Sequence, residues 1–137
     1  FFSKIGLTRY EWKDYSDGIT LGAFGLMMPA RELAKVGQCV CDSGMWNNEQ
    51  VIPRDWLKQR HTIRITNAHG EDGFGYFWWI SDERNLVYTH GHGGQYAVAY
   101  PQKRLVMVMT SLEQLGIDYF SPEELFSFTD RIVAIAE

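Results

Sequence analysis

The chain has little of several things. It holds two cysteines and four prolines in 137 residues, too few cysteines for a small disulfide-stapled scaffold. It has no apolar run long enough to cross a membrane; Phe24-Gly-Leu-Met-Met28 is short, and Arg31, Glu32 and Lys35 follow it. It has no cluster of Lys and Arg, and its net charge of −4 excludes a typical nucleic-acid binder. There is no internal repeat, low-complexity tract, charge block or leader-like segment. The chain opens Phe1-Phe2 without an initiator methionine, which points to a processed or partial sequence and leaves the compartment open.

Catalytic signatures are also missing. There is no Gly-x-Ser-x-Gly elbow and no His-Glu-x-x-His. The P-loop and Gly-x-Gly-x-x-Gly patterns are absent, and Gly91, Gly93 and Gly94 open no helix. Glu71, Asp72 and Asp82 fall in turns and read as solvated surface. Cys39 and Cys41 would point about 200° apart on a helix, a poor geometry for a disulfide. They read as small core thiols. A zinc site would need His61 or His69 brought in by the fold.

What is present is a globular core. Hydrophobic residues make up 45% and aromatics 15%, which excludes a disordered tail. Residues 1–25 lack a period and read as loop. Residues 29–60 read as helical. One helix starts near Pro29, with Leu33, Val36, Gly37 and Val40 on its buried face and Gly44 at its end. A short second helix from Pro53 carries Trp56 and Leu57 inward. Residues 74–110 read as an antiparallel meander of about three strands: Phe74–Ile80, Leu86–Tyr100 and Leu105–Thr110. The third is apolar on both faces and should be covered on both. Residues 121–137 form a helix. Ser121, Pro122 and Glu124 start it with a capping box, and Leu125, Phe128, Ile132 and Ile135 share its buried face. The fold class is α/β (α+β), a single domain over 1–137.

The segment Tyr88-Thr-His-Gly-His-Gly-Gly-Gln-Tyr96 concentrates the chemistry. Three glycines in a strand suggest close approach to the backbone. Histidine exchanges a proton near neutral pH. His90 and His92 would point the same way on a regular strand. A metal pair, an acid–base role beside a nucleophile, and a structural role beside a tight backbone contact all remain open.

Five blocks in order resemble a family. They are Gly22-Ala-Phe-Gly-Leu-Met-Met-Pro-Ala-Arg-Glu-Leu-Ala-Lys-Val-Gly-Gln38, Gly44-Met-Trp-Asn-Asn-Glu-Gln-Val-Ile-Pro-Arg-Asp-Trp56, Phe74-Gly-Tyr-Phe-Trp-Trp-Ile80, Gly91-His-Gly-Gly-Gln95 and Leu105-Val-Met-Val-Met-Thr110. Together they resemble serine hydrolases of the class C β-lactamase type. That family includes D-alanyl-D-alanine peptidases of the penicillin-binding-protein kind, esterases and 6-aminohexanoate-dimer hydrolases. The resemblance implies a metal-free, cofactor-free enzyme acting through an acyl-serine on a small ester or amide. It also favours a periplasmic or secreted location. The family's Ser-x-x-Lys and Tyr-x-Asn motifs do not occur here; Tyr15-Ser16-Asp17 is the nearest approach to the second. By the resemblance both precede the matched region.

His92-Gly93-Gly94 matches the family's third motif, Lys-Thr-Gly or His-x-Gly. The resemblance places His92 toward the substrate, with His90, Gly93 and Gly94 as substrate-side residues, Gly94 admitting the backbone. It makes the backbone N–H of Gln95 one of two oxyanion-hole donors, the nucleophile's own N–H being the other. Histidine is mostly neutral at pH 7, which favours ester or amide substrates over a β-lactam carboxylate. The rival reading is a non-catalytic binding or assembly domain. A meander cut from a larger sheet leaves an open edge and apolar surface, so the chain is expected to form homo-oligomers.

Overall fold

A computed structural model describes residues 1–22, 24–60, 62–66, 72–111 and 121–136, without the side chains of Arg60 and Ala136. His61, His69 and Glu71 lie outside the described residues. The chain runs through a 3-10 turn at Phe2–Ile5, β1 Glu11–Trp12, β2 Leu26–Met27, α1 Ala30–Cys41, β3 Met45–Trp46 and β4 Glu49–Gln50. It continues through α2 Arg54–Arg60, β5 Ile65–Thr66, β6 Gly73–Gly75, β7 Trp78–Ser81, β8 Leu86–Gly91, β9 Gln95–Tyr100, β10 Leu105–Met109 and α3 Pro122–Ala136.

The main sheet is antiparallel, with six strands in the order β10-β9-β8-β7-β6-β5. It is wider than the meander of about three strands expected above. Two of the three apolar runs fold back on themselves. Phe74–Ile80 turns at Tyr76 and Phe77, and the 86–100 run turns at 92–94. Ile65–Thr66 adds a strand too short to show a period. The loop-like stretch 1–25 likewise contains a 3-10 turn and a strand that pairs with β2.

Alternation along the strands builds two cores. Ile80, Val87 and Ala99 face Val40, Cys41 and Leu57 of α1 and α2. Leu86, Tyr88, Tyr96, Val98 and Tyr100 face Leu125 and Phe126 of α3. β10 serves both, with Val106 in the first cluster and Leu105, Met107 and Met109 in the second. It is an edge strand, and no described strand lies on its outer side.

α1 follows Pro29, which caps the helix in extended conformation instead of opening its first turn. Gly37 is required by close approach: a Cβ there would meet Val106 Cγ1 at 2.6 Å. Cys39 packs with Ile5 and Leu7, whereas Cys41 faces the sheet. Both are buried. Burial, then the nearby Asp42 charge, pushes the Cys39 thiol pKa up.

Two helical faces differ from expectation. Leu57 is buried, but Trp56 is 43% exposed and stacks on Tyr76. On α3 the capping box forms, with Ser121 N donating to Glu124 at 2.9 Å and Glu124 N donating to Ser121 Oγ at 3.2 Å. The buried face, however, is Leu125, Phe126 and Thr129, while Phe128 and Ile135 are exposed. Thr129 explains the rotation. Its hydroxyl accepts from Tyr100 Oη at 3.0 Å and donates to the Phe126 carbonyl at 3.3 Å. A residue read as polar thus centres the stripe.

Candidate active site

β8 is longer than its neighbour β7. Their pairing runs from Ser81↔Leu86 to Trp79↔Tyr88. Thr89, His90 and Gly91 continue on β9 alone, paired with Ala97, Tyr96 and Gln95. Beyond them the chain reverses through His92, Gly93 and Gly94. The sequence-predicted site residues therefore gather on one hairpin tip, where the sheet has an unpaired margin among the described strands.

The glycines have a geometric reason. Gly93 and Gly94 both take positive φ, 75° and 77°, a conformation that disfavours side chains with a Cβ. They shape a three-residue turn within what reads as a single strand. His92 consequently sits in the turn and His90 on the strand, so the same-side expectation for the two histidines does not hold. Both are exposed.

Neighbouring groups hold the tip. Ser111, just past β10, donates from Oγ to the carbonyls of Gly93 and Gly94. Gln95 Nε2 donates to the Gly93 carbonyl at 3.2 Å and to that of Ser111. The Gln95 side chain is thus committed to the turn, and any contribution of Gln95 to a substrate would come from its main chain. Sequence reasoning missed Ser111, which carries no motif and is brought in by the β9–β10 register.

His90 has its own partner. Its Nε2 is 3.0 Å from Tyr96 Oη, and the rings stack 4.5 Å apart. Tyr96 is fully buried. Burial of the imidazole lowers the His90 pKa below 6.5. Two residues earlier on β8, Tyr88 donates to Asp72 at 2.8 Å. Burial first, then the hydrogen bond to Asp72 and its charge, pushes the phenol pKa well above its ordinary value. Tyr88 therefore stays protonated, and Asp72 is a hydrogen-bond acceptor instead of the free surface carboxylate its turn position suggested.

Chemically, the tip offers exposed imidazoles, main-chain groups of a fixed turn and a hydrogen-bonded phenol–imidazole pair. Among the described residues, no three His, Cys, Asp or Glu side chains gather as a metal set. A cavity of about 600 Å³ lined by Gln38, Asp42, Trp46, Arg54 and Arg104 lies at the opposite end of the sheet, beside the β9–β10 turn.

No protein-family description matches the sequence, and no curated protein does. The fold has matches: 27 chains of solved structures align with it. One is described as "Putative 6-aminohexanoate-dimer hydrolase from Bacillus anthracis", with a TM-score of 0.70 and 20% identity. The alignment covers 91% of this chain and 32% of that one. The chain thus spans about a third of that neighbour's length and shares the fold of that part of it.

Proposed function

We propose that this chain is the C-terminal portion of a β-lactamase-like serine hydrolase that cleaves an ester or amide through an acyl-serine. The observation that carries the reading is the hairpin tip. The residues matching the family's third motif, His92, Gly93 and Gly94, form a fixed turn at an unpaired strand margin, with the His92 side chain exposed and the two glycines buried. The fold match over 91% of the chain supports it.

In this reading the nucleophile lies outside the 137 residues. His92 hydrogen-bonds the substrate, and Gln95 N–H donates to the carbonyl oxygen as it becomes an oxyanion. One such donor is worth about 3–4 kcal/mol of barrier. The Ser111 and Gln95 contacts keep the turn in place, so little reorganisation is needed when charge develops. The outer edge of β10 takes another strand, and a second copy supplies it when nothing else does. Sedimentation equilibrium of the 137-residue chain at micromolar concentration checks that point: a dimer is expected, and a monomer with a cooperative melt contradicts it.

The function itself is tested on the complete gene product with p-nitrophenyl acetate. An acyl-enzyme route gives a burst of p-nitrophenol followed by a slower steady rate. No hydrolysis of this or an anilide substrate would overturn the reading.

A further inference from the structure

The turn between β6 and β7 has only two residues, Tyr76 and Phe77, because Gly75 already pairs with Trp78. Both take positive φ, 44° and 68°. Two-residue turns of that kind favour Asn-Gly and similar pairs. A bulky residue in the left-handed region is an outlier that the surroundings must compensate. Here burial does not compensate it: Phe77 is 74% exposed and Tyr76 is 42% exposed. Strain without burial marks a segment held in shape for something outside the core.

Its position in the sheet says what. The register that sets Trp79 opposite Tyr88 brings the β6–β7 turn to the unpaired end of β8. Carried two residues further, that register puts Phe77 at the level of His90. The turn and the histidine hairpin therefore flank the same margin. Tyr76 is also braced: Trp56 stacks on its ring at 6.1 Å, and the Arg64 guanidinium sits 5.2 Å from the ring centroid. Trp56, itself 43% exposed, extends the apolar surface.

We infer that Tyr76 and Phe77 form the apolar wall of the acyl-binding site, with Trp56 behind them, and select substrates with an extended alkyl or aryl acyl group. This rests on the hydrolase reading and adds a substrate class to it. Aromatic faces gain from burying methylenes. Short acyl groups do not reach the wall and are bound indifferently.

The test uses the 137-residue chain, acetamide and hexanamide as uncleaved probes, and aromatic and amide NMR. Hexanamide is expected to shift the Phe77 and Tyr76 ring signals and to bind at least about ten-fold more tightly than acetamide, as a few buried methylenes dictate. Phe77→Gly and Phe77→Asn suit the positive φ and keep the fold, with an unchanged or higher Tm. Both should abolish the preference for the longer amide. Equal binding of the two amides, or a preference that survives both substitutions, overturns the proposal. Shifts at the Phe77 ring with none at the His92–Gln95 amides would keep the apolar wall and remove the hydrolase reading instead.

Discussion

The imidazole of His90 lies flat against the ring of Tyr96, with Nε2 3.0 Å from the phenol oxygen. A fully buried hydroxyl needs a partner, and this one finds it in a side chain that is otherwise exposed. The contact separates the two histidines. His90 is anchored to the core, and His92 is carried at the turn.

His90 should therefore titrate below 6.5, because burial disfavours its charged form. The unfolded chain then binds more protons than the folded one between the folded pKa and about 6.5. Stability is complete above that window and falls as pH drops through it. NMR titration of the His90 ring checks the pKa. A midpoint at or above 6.5 would contradict the burial argument.

On the proposed hydrolase reading, His92→Ala in the complete gene product should lower kcat/KM on an activated ester more than His90→Ala does. A lost substrate hydrogen bond is worth roughly ten-fold. Steady-state kinetics on both variants decides it. Equal effects would place the substrate along β8 instead of at the turn.

Gly37→Ala should destabilise the chain by about 1–3 kcal/mol. Helix propensity alone favours alanine by about 1 kcal/mol, but the added Cβ would meet Val106 Cγ1 at 2.6 Å. Overpacking exceeds the propensity gain when the neighbour is itself packed. Urea denaturation gives the sign.

Thr129→Val should cost more than Tyr100→Phe. The first leaves the Tyr100 hydroxyl buried without the partner it now has at 3.0 Å, a loss of about 1–3 kcal/mol. The second leaves the Thr129 hydroxyl its bond to the Phe126 carbonyl. Paired denaturation curves test the order.

Much of this architecture is legible in the sequence because it is written in period and in punctuation. Gly44 and the Ser121–Glu124 box mark helix ends by local chemistry. The alternation Leu86, Val87, Tyr88 shows two covered faces. Turns were harder to read. Tyr76 and Phe77 carry no turn signature, since their φ values contradict their residue types, so the β6–β7 hairpin was hidden. The His92–Gly94 turn was concealed by flanks that read as one strand. The candidate site residues were proposed through a motif, but the groups holding their turn carry none. Ser111 comes from 17 residues beyond Gly94, and Asp72 reaches Tyr88 from 16 residues away. Only pairing register brings such residues together. Thr129 shows the same limit on a helix, where a hydroxyl satisfied in the core looks like surface.

The central claim is that the third motif of a serine hydrolase lies here and its nucleophile lies elsewhere in the gene product. The most direct measurement is intact-protein mass spectrometry after treatment with a serine-directed fluorophosphonate, on the complete gene product and on the 137-residue chain in parallel. The account predicts one adduct on the complete product, mapped to the serine of a Ser-x-x-Lys segment upstream of Phe1, and none on the 137-residue chain. Stoichiometric labelling of a serine within these 137 residues, or a complete product with no such segment and no adduct, would contradict it.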